Sequence, residues 1–267
     1  MGIVKTFIKY PGGKSRLLSP IIERLPRSEH FTDVFCGGGS VSLAYAQKYP
    51  GASIHMNDYD KFTHAIWDVI VNGTDDDIAR LSTYISQTPT IALFNHNRER
   101  MVTEDMVERA YLGVFFHKCT FSGMFNANPI GGVDQKSQWK IGCHYTVKNL
   151  LSKIGNIRRL LRGRTVVTNL DFREMKLDKG VVYFDPPYVS VGDKLYAVSF
   201  TDKDHRDLSG HVKNTKLPWL LSYNEDPLVR ELYSDCNILS INHTMTMSSF
   251  CEDKKCKVKP ELLITPK

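Results

Sequence analysis

Between residues 31 and 57 a short apolar run, a glycine turn, a helical stretch and a second apolar run follow one another. Phe31-Thr-Asp-Val-Phe35 and Ser53-Ile-His-Met-Asn57 have the β-branched and aromatic content of buried strands. Ser40 to Tyr49, between them, reads as a helix. Two strands joined through a helix lie parallel in one sheet, with a right-handed crossover. The alternation returns late in the chain. Strands are expected at Thr165-Val-Val-Thr-Asn169, Val181-Val-Tyr-Phe184, Trp219-Leu-Leu-Ser222, Asn237-Ile-Leu-Ser-Ile241 and Glu261-Leu-Leu-Ile-Thr265. Thr201 with Asp204 forms a capping box ahead of a helix over residues 205 to 212, and residues 227 to 233 suit another. The fold class is therefore α/β with a mainly parallel sheet.

From Phe62 to Arg162 the strand signals nearly vanish. Thr74 to Asp77 reads as a helix start, and Met106 to His117 has helical apolar spacing. Between Cys119 and His144 the composition shifts to Ser, Gly, Asn, Gln and Lys with isolated aromatics. A structureless loop that long inside a compact domain is expected to be functional. The expected organisation is a sheet domain from residues 1–61 and 163–267, with 62–162 as a mostly helical insertion carrying an exposed polar loop or hairpin.

Hydrophobic residues make up 42% and charged residues 24%, the balance of a soluble globular chain. No apolar run is long enough to span a bilayer, and Met1 to Tyr10 is mixed and basic, unlike a signal peptide. The expected location is the cytoplasm of a bacterial or phage-infected cell, without membrane contact. A net charge of +6 suits a polyanionic partner without demanding one. The six cysteines are scattered without a Cys-x-x-Cys pair, so reduced thiols and no metal are expected. Cys251 and Cys256, with His243 upstream, form the one grouping that could reach a metal.

Phe35-Cys36-Gly37-Gly38-Gly39-Ser40 occupies the strand-to-helix turn, where doubly wound folds bind ligands. Asp58 ends the second strand, where an acid usually takes ribose hydroxyls. A nicotinamide G-x-G-x-x-G pattern would need glycine at position 42, which is Ser42. A P-loop ending in Gly13-Lys14-Ser15 would need glycine at position 8, which is Ile8. The glycine loop thus points to an adenosine-containing ligand, with a simple tight turn as the alternative.

Asp185-Pro186-Pro187-Tyr188 directly follows the apolar strand Val181–Phe184. The two prolines remove two backbone donors and leave carbonyl oxygens as the main-chain polar groups. An exocyclic aromatic amine is a poor nucleophile because its lone pair is delocalised into the ring. Accepting its two hydrogens, on the Asp185 carboxylate and the Pro186 carbonyl, localises that pair toward an electrophile. Tyr188 offers a ring face for an extruded base.

On these motifs the chain resembles the Dam-type amino-group DNA adenine methyltransferases, the alpha (D12) class. Lys9-Tyr10-Pro11-Gly12-Gly13-Lys14 is similar to the family's N-terminal signature, and Asp33 to Ser40 to its methionine-side donor loop. Asn57-Asp58 resembles its ribose-binding acid and Asn169-Leu170-Asp171-Phe172 the segment holding the donor's adenine. Ser222-Tyr-Asn224 and Glu261-Leu-Leu263 resemble later segments that complete the sheet. The resemblance implies a Rossmann-like methyltransferase fold with a mixed, mainly parallel seven-stranded sheet and a target-recognition insertion. It implies S-adenosylmethionine as cofactor, bound by Tyr10, Lys14, Phe35, Gly37, Gly39, Ser40, Asp58, Asp171, Phe172 and Asp185, with Asp185 to Tyr188 catalytic. Duplex DNA would be the substrate and the enzyme a monomer, with dimerisation on DNA as the alternative. Cytosine-N4, RNA or protein amide acceptors remain open on the residues alone, as does a catalytically silent DNA-binding protein.

A flipped adenine needs a protein surface that grips phosphates and reads base edges. Lys9, Lys118, Ser122, Asn126, Asn128, Lys136 and Lys140 are the candidates, with Phe121, Met124 and Phe125 as wedges or internal packing. Thr120 to Gly132 lacks the arginines of the GATC-reading hairpin, which leaves the target sequence open. Arg158, Arg159, Arg162 and Arg164, and Lys254, Lys255, Lys257 and Lys259, are basic clusters that would meet phosphate or merely solvent. His117, His144 and His205 are expected to be structural.

Overall fold

The computed structural model describes residues 3–10, 12–189, 200–244 and 258–267. Seven strands form one sheet: β1 (His30–Asp33), β2 (Ser53–Asn57), β3 (Thr165–Thr168), β4 (Val181–Phe184), β5 (Trp219–Asn224), β6 (Asn237–Thr244) and β7 (Val258–Thr265). Their order is β3-β2-β1-β4-β5-β7-β6. The first five are parallel, and β7 runs antiparallel to both β5 and β6. The sheet grows one way from β1 through β2 to β3 and the other way from β4 to β5. The reversal lies between β1 and β4, whose carboxyl ends open the crevice where such sheets take ligands.

A parallel sheet covered on both faces needs strands that are apolar on both sides. β4 is buried throughout, with Val181 and Tyr183 in one core and Val182 and Phe184 in the other. The first core also takes residues of α1 (Leu18–Arg24), α2 (Ser40–Lys48) and α3 (Lys61–Asn72). It extends without a break into α4 (Asp75–Ile85), α5 (Ile91–Glu99), α6 (Met106–Cys119) and α7 (Val147–Leu161). The second core holds α8 (Asp202–Asn214) and α9 (Pro227–Leu232).

Local chemistry sets the helix starts. Thr74 and Asp77 close a capping box on α4, as do Thr201 and Asp204 on α8. Asp60 caps α3 through Thr63 N, and Asp226 precedes the proline that opens α9. Helix α1 went unread in the sequence, and α3, α5 and α7 were read only as part of the mostly helical stretch 62–162. In α5 only Phe94 and Asn97 are buried, so no apolar stripe marks it. Between Cys119 and His144 the chain makes turns, a short 3-10 segment and a single bridge between Thr120 and Pro129.

Arg158 in α7 and Arg164 just after it have structural employment. Arg158 donates to the carbonyls of Ile70 and Gly73 at 3.0 and 2.8 Å and pairs with Asp75. Arg164 donates to Pro50 and Ala46 carbonyls at 2.6 and 3.0 Å. They satisfy carbonyls left over at the ends of α3 and α2. The second basic cluster, at 254, 255, 257 and 259, and the Cys251, Cys256 and His243 grouping lie outside the described side chains. Cys36 and Cys119 are buried free thiols. Among the described residues no helix is long and apolar enough to cross a membrane, and no acidic, His or Cys group is arranged to hold a metal.

Candidate active site

Two chambers open over the carboxyl ends of β1, β2 and β4, and share Tyr10, Phe35 and Asp185 as wall residues. The first is floored by Lys14, Asp33 and the glycine turn. The second is lined by Asp58, Tyr59, Leu170, Asp171, Phe172 and Pro187, among others. The sequence candidates Tyr10, Lys14, Phe35, Gly37, Ser40, Asp58, Asp171, Phe172, Asp185, Pro186 and Pro187 therefore meet in one trough.

The turn is shaped by what backs it. Gly39 sits at φ 66° and a Cβ there would lie 2.4 Å from the Trp67 ring of α3. Gly37, at φ 44°, faces the Tyr10 ring in the same way, at 3.0 Å. The Trp67 indole donates to the Gly37 carbonyl at 2.8 Å, so α3 anchors the turn from below. Gly39→Ala should destabilise the protein by about 2–4 kcal/mol, the combined cost of left-handed backbone and overpacking. Thermal denaturation beside Gly51→Ala, where an added Cβ meets nothing within 4 Å, checks this. Equal melting of the two variants would refute it.

Asp58 closes the other side. Its Oδ2 accepts from Gly37 N at 2.7 Å and its Oδ1 from Asp60 N at 2.9 Å, which ties β2 to the turn. Burial, with the Asp60 charge adding to it, raises Asp58 to about 7. Asn57 donates to the carbonyls of Val34 and Leu170, each at 3.0 Å, and so fixes the wall segment that follows β3. That wall continues with Asp171 and with Phe172, whose ring packs 5.9 Å from Phe35. Arg173 pairs with Asp171, Asp204 and Asp207 and locks the segment onto α8.

At the centre lies a buried ionic cluster. Lys14, 4% exposed, places its ammonium 2.5 Å from Asp185 Oδ1 and 3.4 Å from Glu261. It also donates to the Gly12 carbonyl and the Tyr188 hydroxyl, both at 2.9 Å. Ser222 of β5 donates to the same Asp185 oxygen at 2.8 Å. Oδ2 has no hydrogen-bond partner among the described residues, and the carboxylate lines both chambers. Asp33 ends β1 with one oxygen bonded to Ser42 at 2.6 Å and the other buried without a partner. Burial, with Asp185 and Asp58 nearby, raises Asp33 to about 7.

Tyr188 does not line either chamber: it is 6% exposed, packed in the second core, and its hydroxyl donates to Glu261. Glu261, Ser222 and Trp67 are residues of the cluster and the turn to which the sequence reading gave no role in the site. No local signal marks them, because each acts through a contact distant in sequence.

None of the loop candidates lines either chamber. Gly123 lies against the Lys9 carbonyl, which brings Lys9 to the loop. Burial chiefly, with the Lys153 and Lys9 charges adding to it, lowers Lys118 to about 8. Asn126, Asn128, Lys136 and Lys140 are exposed, and Ser122 is half-buried in the left-handed region at φ 54°. Lys136 stands 3.7 Å from Asp134, and Lys140 donates to the Gln135 carbonyl. Phe125 packs against Phe62 and His117, whereas Phe121 is 42% exposed. Trp139, 61% exposed on the same loop, was not anticipated. His117 and His205 are buried and His144 is exposed.

A sheet with this strand order, a glycine turn after β1 and Asp-Pro-Pro-Tyr after β4 together define an amino-group methyltransferase. A family model described as D12 class N6 adenine-specific DNA methyltransferase matches residues 10–247, and the chain belongs to that family. It is 26% identical to the Type II methyltransferase M.MjaIII of Methanocaldococcus jannaschii over 227 residues, 76% of each chain. A Type II methyltransferase of Lactococcus lactis subsp. cremoris is 24% identical over 91% of this chain and 89% of its own. A DNA adenine methylase of Salmonella typhi is 22% identical over 92% of this chain and 90% of its own. The activity is accordingly that of an adenine-specific DNA methyltransferase.

Proposed function

We propose that the trough binds S-adenosylmethionine and a flipped adenine side by side, and that Asp185 and the Pro186 carbonyl accept the hydrogens of the adenine N6 amine. The single observation that carries this is Asp185: Lys14 and Ser222 hold one oxygen, and the other is left for a ligand. Bound S-adenosylmethionine supplies an electrophilic methyl group. Two features fit that cationic donor. Gly37 leaves room that a Cβ against the Tyr10 ring would take from the chamber wall, and Asp33 brings a buried, unpartnered oxygen to that wall. In this reading Tyr10, Gly37, Gly39 and Ser40 flank the methionine part, with Lys14 behind them. Asp58 accepts from the ribose hydroxyls, and Phe35, Asp171 and Phe172 border the adenine of the donor.

Once the N6 hydrogens are held, the lone pair points at the methyl group and transfer leaves a positively charged nitrogen. That nitrogen sheds its proton readily, with the Asp185 carboxylate beside it, so no histidine is required. Residues 1–61 and 163–267 act as the catalytic domain and 62–162 as the target-recognition insertion. Lys9, Lys118, Ser122, Asn126, Asn128, Lys136 and Lys140 contact duplex DNA, and the enzyme works as a cytoplasmic monomer.

Two measurements test the reading. Asp58→Ala should weaken S-adenosylmethionine by about tenfold or more, the loss of a charge-assisted hydrogen bond, as read by calorimetry. Unchanged donor affinity would remove the ribose role. With 2-aminopurine at the target position, binding should raise fluorescence as the base leaves the stack. No rise with a DNA that is methylated would refute the flipped-base pocket.

A further inference from the structure

β7 lies between β5 and β6 and sets Glu261 opposite Asn224 of β5. Glu261 is 1% exposed and is absent from the walls of both chambers. The Tyr188 hydroxyl reaches both of its oxygens, at 2.6 and 2.8 Å, and Lys14 stands 3.4 Å away. Buried Glu261 and half-buried Asp185 thus share one lysine, which leaves one negative charge in the cluster without a cation of its own.

We infer that Glu261 is a positioning residue for methyl transfer: it draws part of the Lys14 charge and fixes the Tyr188 hydroxyl, which leaves Asp185 a stronger acceptor for the amine hydrogens. This rests on the role proposed for Asp185 above. Lys14, Glu261, Asp33, Tyr183, Ser222 and Tyr223 are the charged and polar groups that bear on Asp185 from β1, β4, β5, β7 and the N-terminal segment. Burial raises Asp185 to about 6, Lys14 pulls it down and Glu261 pushes it up. Without the Glu261 charge, Lys14 acts on Asp185 alone. The carboxylate then becomes less basic and grips the amine less.

The test is single-turnover transfer from labelled S-adenosylmethionine to saturating DNA across pH 5 to 9, for wild type, Glu261→Gln, Tyr188→Phe and Asp185→Asn. Donor affinity is measured alongside. Wild type should lose activity as pH falls through about 6, where Asp185 takes up a proton. Glu261→Gln should be slower by about tenfold, a change of roughly 1.4 kcal/mol, with its acid limb displaced to lower pH and donor affinity within about threefold. Tyr188→Phe removes the hydroxyl link and keeps the charge, so its rate should fall while its acid limb does not move to lower pH. Wild-type rates in either variant would overturn the inference. So would a fall in Glu261→Gln rate matched by an equal loss of donor affinity, with the acid limb unmoved. Active Asp185→Asn would instead overturn the role of Asp185 itself.

Discussion

Asp185→Asn should slow methyl transfer by on the order of 10³-fold, the scale of losing one organised hydrogen-bonding group at a reacting centre. Donor and DNA affinity should stay within a few fold. The reason lies in which oxygen is already committed. Lys14 and Ser222 both donate to Oδ1, at 2.5 and 2.8 Å. In asparagine the amide oxygen is held there, and the amide NH2 takes the place of Oδ2. That group is a donor, and so is the amine it must hold. Two donors then face each other at the point where an acceptor is required. Asp185→Ala removes the carboxylate without installing a donor, so it should be no slower than the asparagine variant. An asparagine variant retaining more than about a tenth of the wild-type rate, a loss under roughly 1.4 kcal/mol, would contradict this account.

Lys14→Met should carry the largest stability effect. It leaves Glu261 buried and Asp185 half-buried without the cation between them, with Tyr188 and Ser222 the donors that remain to them among the described residues. Breaking a buried pair from one side costs about 3–5 kcal/mol, because the remaining charge stays uncompensated. For a chain of this size that corresponds to a melting temperature lower by roughly 6–20 °C. Adding Glu261→Gln removes the surplus negative charge and should restore part of the loss. The two changes are therefore non-additive, as expected for groups in contact. Melting of Lys14→Met within about 2 °C of wild type, a difference under about 1 kcal/mol, would show that the cluster is not the anchor described here.

The parts of this protein that were legible in the sequence are those whose cause is local. The β2 and β4 strands fall on their expected residues, because a short apolar run bounded by turns fits little else. Both capping boxes were readable from a Thr and an Asp three residues apart. Asp185 was found because its two prolines and its strand lie beside it. What escaped is long-range. Glu261 reaches Tyr188 only because β7 inserts antiparallel between β5 and β6, and a strand's place in a sheet leaves no local mark.

The basic clusters show the same limit. Arg158 and Arg164 read as phosphate ligands or solvated charge, yet each is spent on carbonyls at the ends of other helices. Phe125 was open between wedge and packing, and its contacts with Phe62, Phe116 and His117 place it in the helical core. Residues 119 to 144 have neither helical nor strand period. Their character as a turn-rich loop was readable, but the side chains that meet across it were not.

The most direct test is to incubate the protein with labelled S-adenosylmethionine and unmethylated duplex DNA, hydrolyse the DNA and identify the labelled nucleoside. The account predicts N6-methyladenine, made by wild type and lost in Asp185→Asn. Label in N4-methylcytosine, or undiminished N6-methyladenine from the Asp185→Asn variant, would contradict it.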